Sequence, residues 1–355
     1  MQLIFASHFC TMRRSAVAFC AYSSLHPRAV NRLTAAMASS SSGNALVQDT
    51  FEKLRNDKDQ VLLLDGGTGE ELFRQGVPDD RKIWSATAVV NPQYHPILQQ
   101  VHQSFVDAGS QAITTNSYGI TPGVGFSEAE IATYAAEAGR LARESVVSTS
   151  TLVLGSLGPL VESYRPDMIL PHDEGVRIYK IYTKALSPHV DCFLAETMSS
   201  LEESLQAVEA VASEKPMLVS YTLGSDGALR SGEKATHAIH QLFEFAKQHS
   251  AHIMGVLFNC SEPEAITIAL QQVRNDPSLK NIILGAYANR LTPVASDWTI
   301  QESDGPQEMR SDLTPDEYYN KFVSKWVTQY NTQLVGGCCG IAPEHIEYLS
   351  QHLKK

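Results

Sequence analysis

Short apolar runs alternate along the chain with longer segments whose apolar residues recur at helical spacing. Each run closes at glycine or polar residues, as expected of a buried parallel strand. Eight such runs are predicted as strands: Val61–Asp65, Ala112–Asn116, Leu152–Ser156, Cys192–Glu196, Pro216–Tyr221, Ile253–Asn259, Ile282–Tyr287 and Gln333–Gly337. The predicted helices between them include Pro96–Ala108, Ser127–Ser148, Ser200–Ser213, Ala235–His249, Glu262–Arg274 and Pro315–Gln329.

The number of strands separates two possible architectures. Strand–helix repetition indicates a parallel sheet, either closed or doubly wound. Eight strands within about 280 residues fit a (β/α)₈ barrel, whereas doubly wound sheets usually have five or six. We therefore predict an α/β fold, a single TIM-type (β/α)₈ barrel over residues 49–355, without a second domain. The polar segment Asn289–Asp312 is predicted as a long loop after strand seven.

The first 48 residues differ in composition from the rest. They contain no Asp or Glu, and Arg13, Arg14, Arg28 and Arg32 lie among Ser, Ala and Leu. This composition is typical of a mitochondrial transit peptide, and a disordered extension ahead of a start at Met37 is the alternative. We predict a disordered or targeting segment over residues 1–48. The expected location is the cytoplasm, with mitochondrial targeting as the second possibility.

Net charge restricts the partners. The formal charge of -11 argues against nucleic acid, which is bound through Lys and Arg, and it suits a cationic small substrate. No run approaches the roughly 20 apolar residues of a membrane span, so no membrane contact is expected. The turn Asp65–Gly69 lacks the GxGxxG spacing and the Lys-Ser/Thr pair of nucleotide loops, and its carboxylate would repel phosphate.

Three cysteines lie where a barrel of this type carries its active site, at the carboxyl ends of the strands. Cys260 closes strand six, and the pair Cys338–Cys339 closes strand eight, so a single strand separates them on the rim. Catalytic zinc sites commonly use three protein ligands and leave the fourth position to substrate. We therefore predict a Zn²⁺ site formed by the three thiolates. Buried cysteines acting as small hydrophobes are the alternative, and Cys192, inside strand four, is assigned to the core.

Three thiolates around Zn²⁺ give a site of net charge about −1, which is a poor Lewis acid for activating water. A substrate thiol in the fourth position would instead have a lowered pKa and stay nucleophilic. The ligand set therefore favours alkyl transfer to sulfur over hydrolysis. A selenol acceptor such as selenocysteine and a non-enzymatic zinc store or thiol redox sensor remain alternatives. A dithiol redox enzyme is disfavoured because no CxxC accompanies the pair.

Several strand-end motifs together resemble one family. They are Asp65-Gly-Gly-Thr-Gly, Trp84-Ser85, Val101-His102 with Ala108-Gly109, Thr115-Asn-Ser-Tyr118, Gly155-Ser-Leu-Gly-Pro159, Glu196-Thr197, Asn259-Cys260 and Gly336-Gly-Cys-Cys-Gly340. From about residue 60 to 350 the chain resembles the homocysteine S-methyltransferases, whose barrels carry a Cys₃ zinc site. The pair of cysteines after two glycines, following a distant Asn-Cys, is the most specific of these elements.

The resemblance implies roles for individual residues. Cys260, Cys338 and Cys339 would hold zinc, and no catalytic residue is expected beyond this metal site. Asp65 and Glu196 would hold the amino group of homocysteine. The backbone near Gly66 and Thr115 would hold its carboxylate.

The chain resembles the shorter branch of the family, which uses S-methylmethionine or S-adenosylmethionine. It ends soon after Cys339, without room for the long dimerisation arm of the betaine-dependent enzymes, so we expect a monomer or weak oligomer. Where that branch usually has Tyr-Pro-Asn-Ser-Gly-Glu, this chain reads Tyr287-Ala-Asn-Arg290. The expected reaction is methyl transfer from a sulfonium donor to homocysteine, forming methionine. Aromatic candidates for a contact with the sulfonium charge are Trp84, Tyr118, Tyr287 and Trp298.

Overall fold

A computed structural model describes residues 45–146, 150–292, 299 and 308–353. Residues 1–44, which carry most of the predicted targeting segment, lie outside the described residues, as does Trp298. Most of the predicted loop after strand seven also lies outside them. The two described ends of that loop meet, because Leu291 and Met309 form an antiparallel bridge.

The eight predicted strands are all present. They are β1 Leu62–Leu63, β2 Ala112–Thr114, β3 Leu152–Leu157, β4 Cys192–Met198, β5 Met217–Tyr221, β6 Ile253–Asn259, β7 Leu284–Tyr287 and β8 Thr332–Val335. The paired neighbours are parallel, and the sheet runs in the order β1-β8-β7-β6-β5-β4-β3-β2. The predicted TIM-type (β/α)₈ barrel is therefore confirmed.

The seam between β1 and β2 closes the ring. The backbone N–H of Gln111 donates to the carbonyl of Leu63 (2.7 Å), and the side-chain oxygen of Gln111 accepts from the N–H of Leu63 (3.0 Å). Closer to the carboxyl ends of the two strands, the N–H of Thr114 donates to the Asp65 carboxylate (2.7 Å). Side chains thus replace part of the backbone pairing at this seam, and one of them is a predicted substrate-binding acid.

The longer helices follow the strands, except for α1, which precedes β1. They are α1 (residues 45–56), α2 Thr68–Arg74, α3 His95–Asp107, α4 Glu128–Ser145, α5 His172–Leu186, α6 Leu201–Val211, α7 Ala235–Gln248, α8 Pro263–Arg274, α9 Ser324–Tyr330 and α10 Pro343–His352. The segment before α9 consists of a short helix, Pro315–Tyr318, and a π-helical turn, Tyr319–Val323. The six predicted helices are confirmed, whereas α1, α2, α5 and α10 were not predicted. None of the helices in the described part of the chain combines the length and the apolar character needed to cross a bilayer.

Alternate residues of each strand belong to different apolar clusters. Leu62 and Leu64 pack in the cluster that fills the barrel, whereas Leu63 between them packs in the cluster beneath the helices. Helix α1 contributes Val47, Phe51 and Leu54 to the interior cluster. Cys192 belongs to the same cluster and is fully buried, in agreement with its predicted place in the core. Apolar side chains thus fill the interior of the barrel, so the residues that could bind a ligand lie at the strand ends.

Helix α4 provides a test of local stability. Its N-cap Ser127 forms a capping box with Glu130, which satisfies two backbone N–H groups at the start of the helix. We expect Ser127→Ala to lower the free energy of unfolding by about 1 kcal/mol, measured by urea denaturation. Thr133→Ala is the control on the exposed face of the same helix, where a change near zero is expected. Equal losses in both variants would contradict the cap assignment.

Candidate metal centre and substrate cavity

The three predicted ligand cysteines meet at one point on the barrel rim. The Sγ atom of Cys260 lies 2.9 Å from that of Cys338 and 3.8 Å from that of Cys339, and the pair is separated by 4.0 Å. Sulfur atoms at ~2.3 Å from a tetrahedral zinc lie about 3.8 Å apart, so two of the three spacings already match. The three thiols are free and could hold a metal ion.

The last residue of β7 and the residues that follow it hold both cysteine segments by backbone hydrogen bonds. The N–H of Cys260 donates to the carbonyl of Tyr287 (3.3 Å), and that of Cys338 donates to the carbonyl of Ala288 (2.8 Å). The carbonyl of Cys339 accepts from the N–H of Arg290 (2.8 Å). This stretch is where the sequence departs from the usual pattern of the short branch. Because these contacts use main-chain atoms, the altered side chains do not remove them.

Several residues of the site have left-handed backbone conformations. Cys260 has φ 47°, Thr197 61°, Tyr164 67° and Trp84 47°. Non-glycine residues in this region carry strain and cluster at functional sites. The side chain of Asn259 holds one of them, Thr197, because its oxygen accepts from the N–H of Thr197 (3.0 Å) and its amide donates to the Thr197 hydroxyl (2.8 Å). The Asn-Cys motif thus has a structural reason.

Hydrogen bonds differentiate the three thiols. The thiols of Cys338 and Cys339 hold the pKa of Cys260 well below its usual value, and the same contacts raise the pKa values of both partners. The hydroxyl of Tyr164 lies 3.0 Å from the sulfur of Cys260. Burial raises the pKa of Tyr164, so this hydroxyl stays protonated. Cys260 is therefore the thiol that carries negative charge most readily in this arrangement.

One cavity is lined by all seven residues with predicted roles in binding. They are Asp65, Gly66, Thr115, Glu196, Cys260, Cys338 and Cys339. The structure thus brings together every predicted site residue from the ends of five strands, β1, β2, β4, β6 and β8, and the turns beyond them. Their placement alone does not assign their roles.

Both predicted carboxylates are buried within this cavity. Asp65 is 5% and Glu196 is 9% exposed, which rules out solvated acids that only cap helices. Burial raises the pKa of Asp65 to about 6, although hydrogen bonds from Thr114 oppose the rise. Burial likewise raises the pKa of Glu196 to about 7. Its two oxygens accept from the Ser156 hydroxyl (2.5 Å) and the Tyr287 hydroxyl (3.3 Å).

The two predicted backbone positions differ in their surroundings. A Cβ added to Gly66 would lie 2.2 Å from the carbonyl oxygen of Ile341, so only glycine fits this close approach of two loops. The N–H of Thr115 donates to the carbonyl of Leu154 (2.9 Å). That amide is therefore already used in the barrel, and a ligand carboxylate near Thr115 would need a neighbouring donor.

Sequence reasoning missed two residues of the site. Tyr164 lies in the loop after β3, and no motif marks its contact with Cys260. Glu70 lies in the first turn of α2 and lines the cavity. Acidic residues are common at helix starts, so its sequence position carries a simpler explanation. Only its place directly after the Asp65–Gly69 turn hinted that it faces the rim.

Comparison with known proteins decides the family. The family model described as homocysteine S-methyltransferase matches residues 62–353. The chain belongs to the homocysteine S-methyltransferase family. Its curated relatives are named as methyl-transferring enzymes, and the chain is an enzyme of this kind.

Relatives of this family are distant in sequence but nearly equal in extent. Homocysteine S-methyltransferase 1 of Arabidopsis thaliana is 24% identical, over 88% of this chain and 98% of the relative. The homocysteine S-methyltransferase of Escherichia coli is 25% identical, over 82% and 95%. The metallated crystal form of the homocysteine methyltransferase MmuM from Escherichia coli matches with a TM-score of 0.65 at 24% identity, over 82% of this chain and 96% of that chain. This structural likeness supports the fold.

The cysteine cluster leads to a test by metal content. We expect Cys339→Ala to lose its metal on dialysis against a chelator, because removing one of three ligands weakens the whole site, whereas the unaltered protein retains one ion per chain. Cys192→Ala removes a buried thiol elsewhere in the barrel and should retain the metal. Metal is measured by atomic spectrometry and folding by circular dichroism. Full metal content in folded Cys339→Ala would exclude this residue as a ligand.

Proposed function

We propose that this enzyme transfers a methyl group from a sulfonium donor, S-methylmethionine or S-adenosylmethionine, to homocysteine and forms methionine. The observation that carries the proposal is the meeting of three thiols in a cavity with two buried carboxylates. Family membership supports the acceptor. The donor rests on the resemblance to the short branch and on the acidic lining of the cavity.

We assign zinc to the three thiols. The donor set consists of sulfur alone, two of the three sulfur spacings match those of a tetrahedral site, and Cys260 is buried, so the residues fit this ion. When bound, zinc would lower the pKa of a substrate thiol in its fourth position, so that the sulfur reacts as a thiolate at neutral pH. Cys260, Cys338 and Cys339 would hold it.

The chain's own residues would bind and orient the amino acid. Asp65 and Glu196 supply two carboxylates for the ammonium group, and the hydroxyls of Ser156 and Tyr287 fix the orientation of Glu196. The backbone near Gly66, which lines the cavity, would hold the carboxylate of the amino acid. Holding both substrates in one cavity favours in-line displacement by proximity. The electron pair of the homocysteine sulfur forms the new S–CH₃ bond, the donor sulfur keeps the pair of the broken bond, and the thiol proton leaves to solvent.

Product stoichiometry tests the proposal. We expect metal-loaded protein to form methionine from homocysteine and a sulfonium donor, and metal-stripped protein to form none. With S-methylmethionine each homocysteine consumed yields two methionines, whereas S-adenosylmethionine yields one methionine and one S-adenosylhomocysteine. Donors labelled with ¹³C on the methyl group and mass spectrometry separate these outcomes, and betaine serves as the control donor. The absence of methionine with every sulfonium donor would refute the proposal.

The raised pKa values of the two acids predict a pH dependence of product binding. Burial raises the pKa of Asp65 to about 6 and that of Glu196 to about 7. The negative charge on both acids therefore increases as the pH rises from 6 to 8, most of all on Glu196, while the ammonium of methionine stays charged. We expect methionine to bind about tenfold more tightly at pH 8 than at pH 6, measured by calorimetry. Methionine has no thiol, so its own titration does not interfere. In Glu196→Gln the dependence should flatten, and a pH-independent affinity in the unaltered protein would contradict this role.

A further inference from the structure

An additional carboxylate lines the cavity beside the cysteines. Glu70, in the first turn of α2, is among the lining residues. Its Oε2 atom is buried and accepts no hydrogen bond at proper geometry from the described residues. A Cβ built on Gly67 would lie 2.9 Å from this oxygen and 2.7 Å from the carbonyl oxygen of Cys338. The carboxylate therefore lies against the turn that carries the cysteine pair.

The surroundings of Glu70 include aromatic rings. A Cβ built on the preceding residue, Gly69, would lie 2.4 Å from the ring of Trp84. That ring makes edge contacts with Phe73 and with Tyr118, both at 6.2 Å between centroids. All three aromatic residues line the same cavity. A carboxylate next to aromatic faces is a typical site for an organic cation.

Charge in the cavity points the same way. The described lining contains four carboxylates, Asp65, Glu70, Asp79 and Glu196, and one guanidinium, Arg81. Arg81 pairs with Asp79 (2.6 Å). A buried carboxylate oxygen without a hydrogen bond is costly unless a cation offsets its charge. Asp65 and Glu196 accept hydrogen bonds from amide or hydroxyl donors. The neighbours of the Glu70 carboxylate are the Cys339 thiol and the N–H of Gly340, and its Oε2 atom accepts no hydrogen bond at proper geometry.

We propose that Glu70 is the counter-charge for the sulfonium centre of the methyl donor, with Trp84 beside it. The inference rests on the proposed function and assigns the donor side of the cavity, next to Cys339. The sulfonium bears a positive charge before transfer and becomes a neutral thioether afterwards. The carboxylate therefore stabilises the bound donor more than the transition state, in which that charge is partly lost.

A counter-charge at Glu70 should affect the KM for the donor and kcat in different ways. We expect Glu70→Gln to raise the KM for the sulfonium donor by about tenfold or more, to leave kcat unchanged or higher, and to leave the KM for homocysteine within about twofold. Glu70→Asp, which retains the charge, should recover part of the donor affinity. Glu71→Gln is the matched control on the same helix, since this carboxylate pairs with Arg74 (2.9 Å); its donor KM should stay unchanged.

Two further measurements separate the possible failures. Binding of trimethylsulfonium without homocysteine, followed by calorimetry, should be lost in Glu70→Gln and kept in Glu71→Gln. It reports on the cation site even if the unaltered protein transfers no methyl group, an outcome that would refute only the proposed function. Zinc affinity, measured by competition with a chelator, should be equal in the unaltered protein and Glu70→Gln. An unchanged donor KM with unchanged trimethylsulfonium binding, or a loss of zinc affinity, would overturn the assignment of Glu70.

Discussion

The site depends on the short stretch of backbone that leaves β7 between two cysteine-bearing segments. Tyr287 and Ala288 offer their carbonyls to Cys260 and Cys338, and Arg290 donates to the carbonyl of Cys339. Three hydrogen bonds along four residues thus set the separation of thiols that lie 78 and 79 positions apart in the chain. Backbone groups carry no family signature, which explains how this chain keeps the arrangement with unusual side chains at these positions.

A second feature of the site is that most of its buried polar groups are hydrogen-bonded to neighbouring side chains. Hydroxyl and amide groups from neighbouring strand ends satisfy the buried acids and the strained backbone, as Asn259 does for Thr197 and Ser156 does for Glu196. Buried polar groups of this kind hold one geometry well, because losing any partner leaves a desolvated atom unsatisfied. The Oε2 atom of Glu70 does not follow this pattern, because it is buried and accepts no hydrogen bond at proper geometry. A bound cation would offset its charge.

Sequence patterns predicted the strands and the clustering at the rim because both follow from chain order in a closed parallel barrel. The missed helices have weaker patterns: α2 is only seven residues long and contains Gly69, and α5 begins with the polar residues His172, Asp173 and Glu174. Contacts such as that of Tyr164 with Cys260 could not be predicted. They arise where a loop takes a left-handed turn, and no periodicity in the chain records that choice.

The seam between β1 and β2 links the fold to its ligand. Asp65 joins the two strands through Thr114 and also faces the cavity. The same carboxylate therefore contributes to closing the barrel and to lining the cavity. A ligand that binds this acid would therefore also stabilise the contact between β1 and β2. Conversely, separation of β1 from β2 would break the contact of Asp65 with Thr114, whereas the three cysteines follow β6 and β8, which do not take part in this seam.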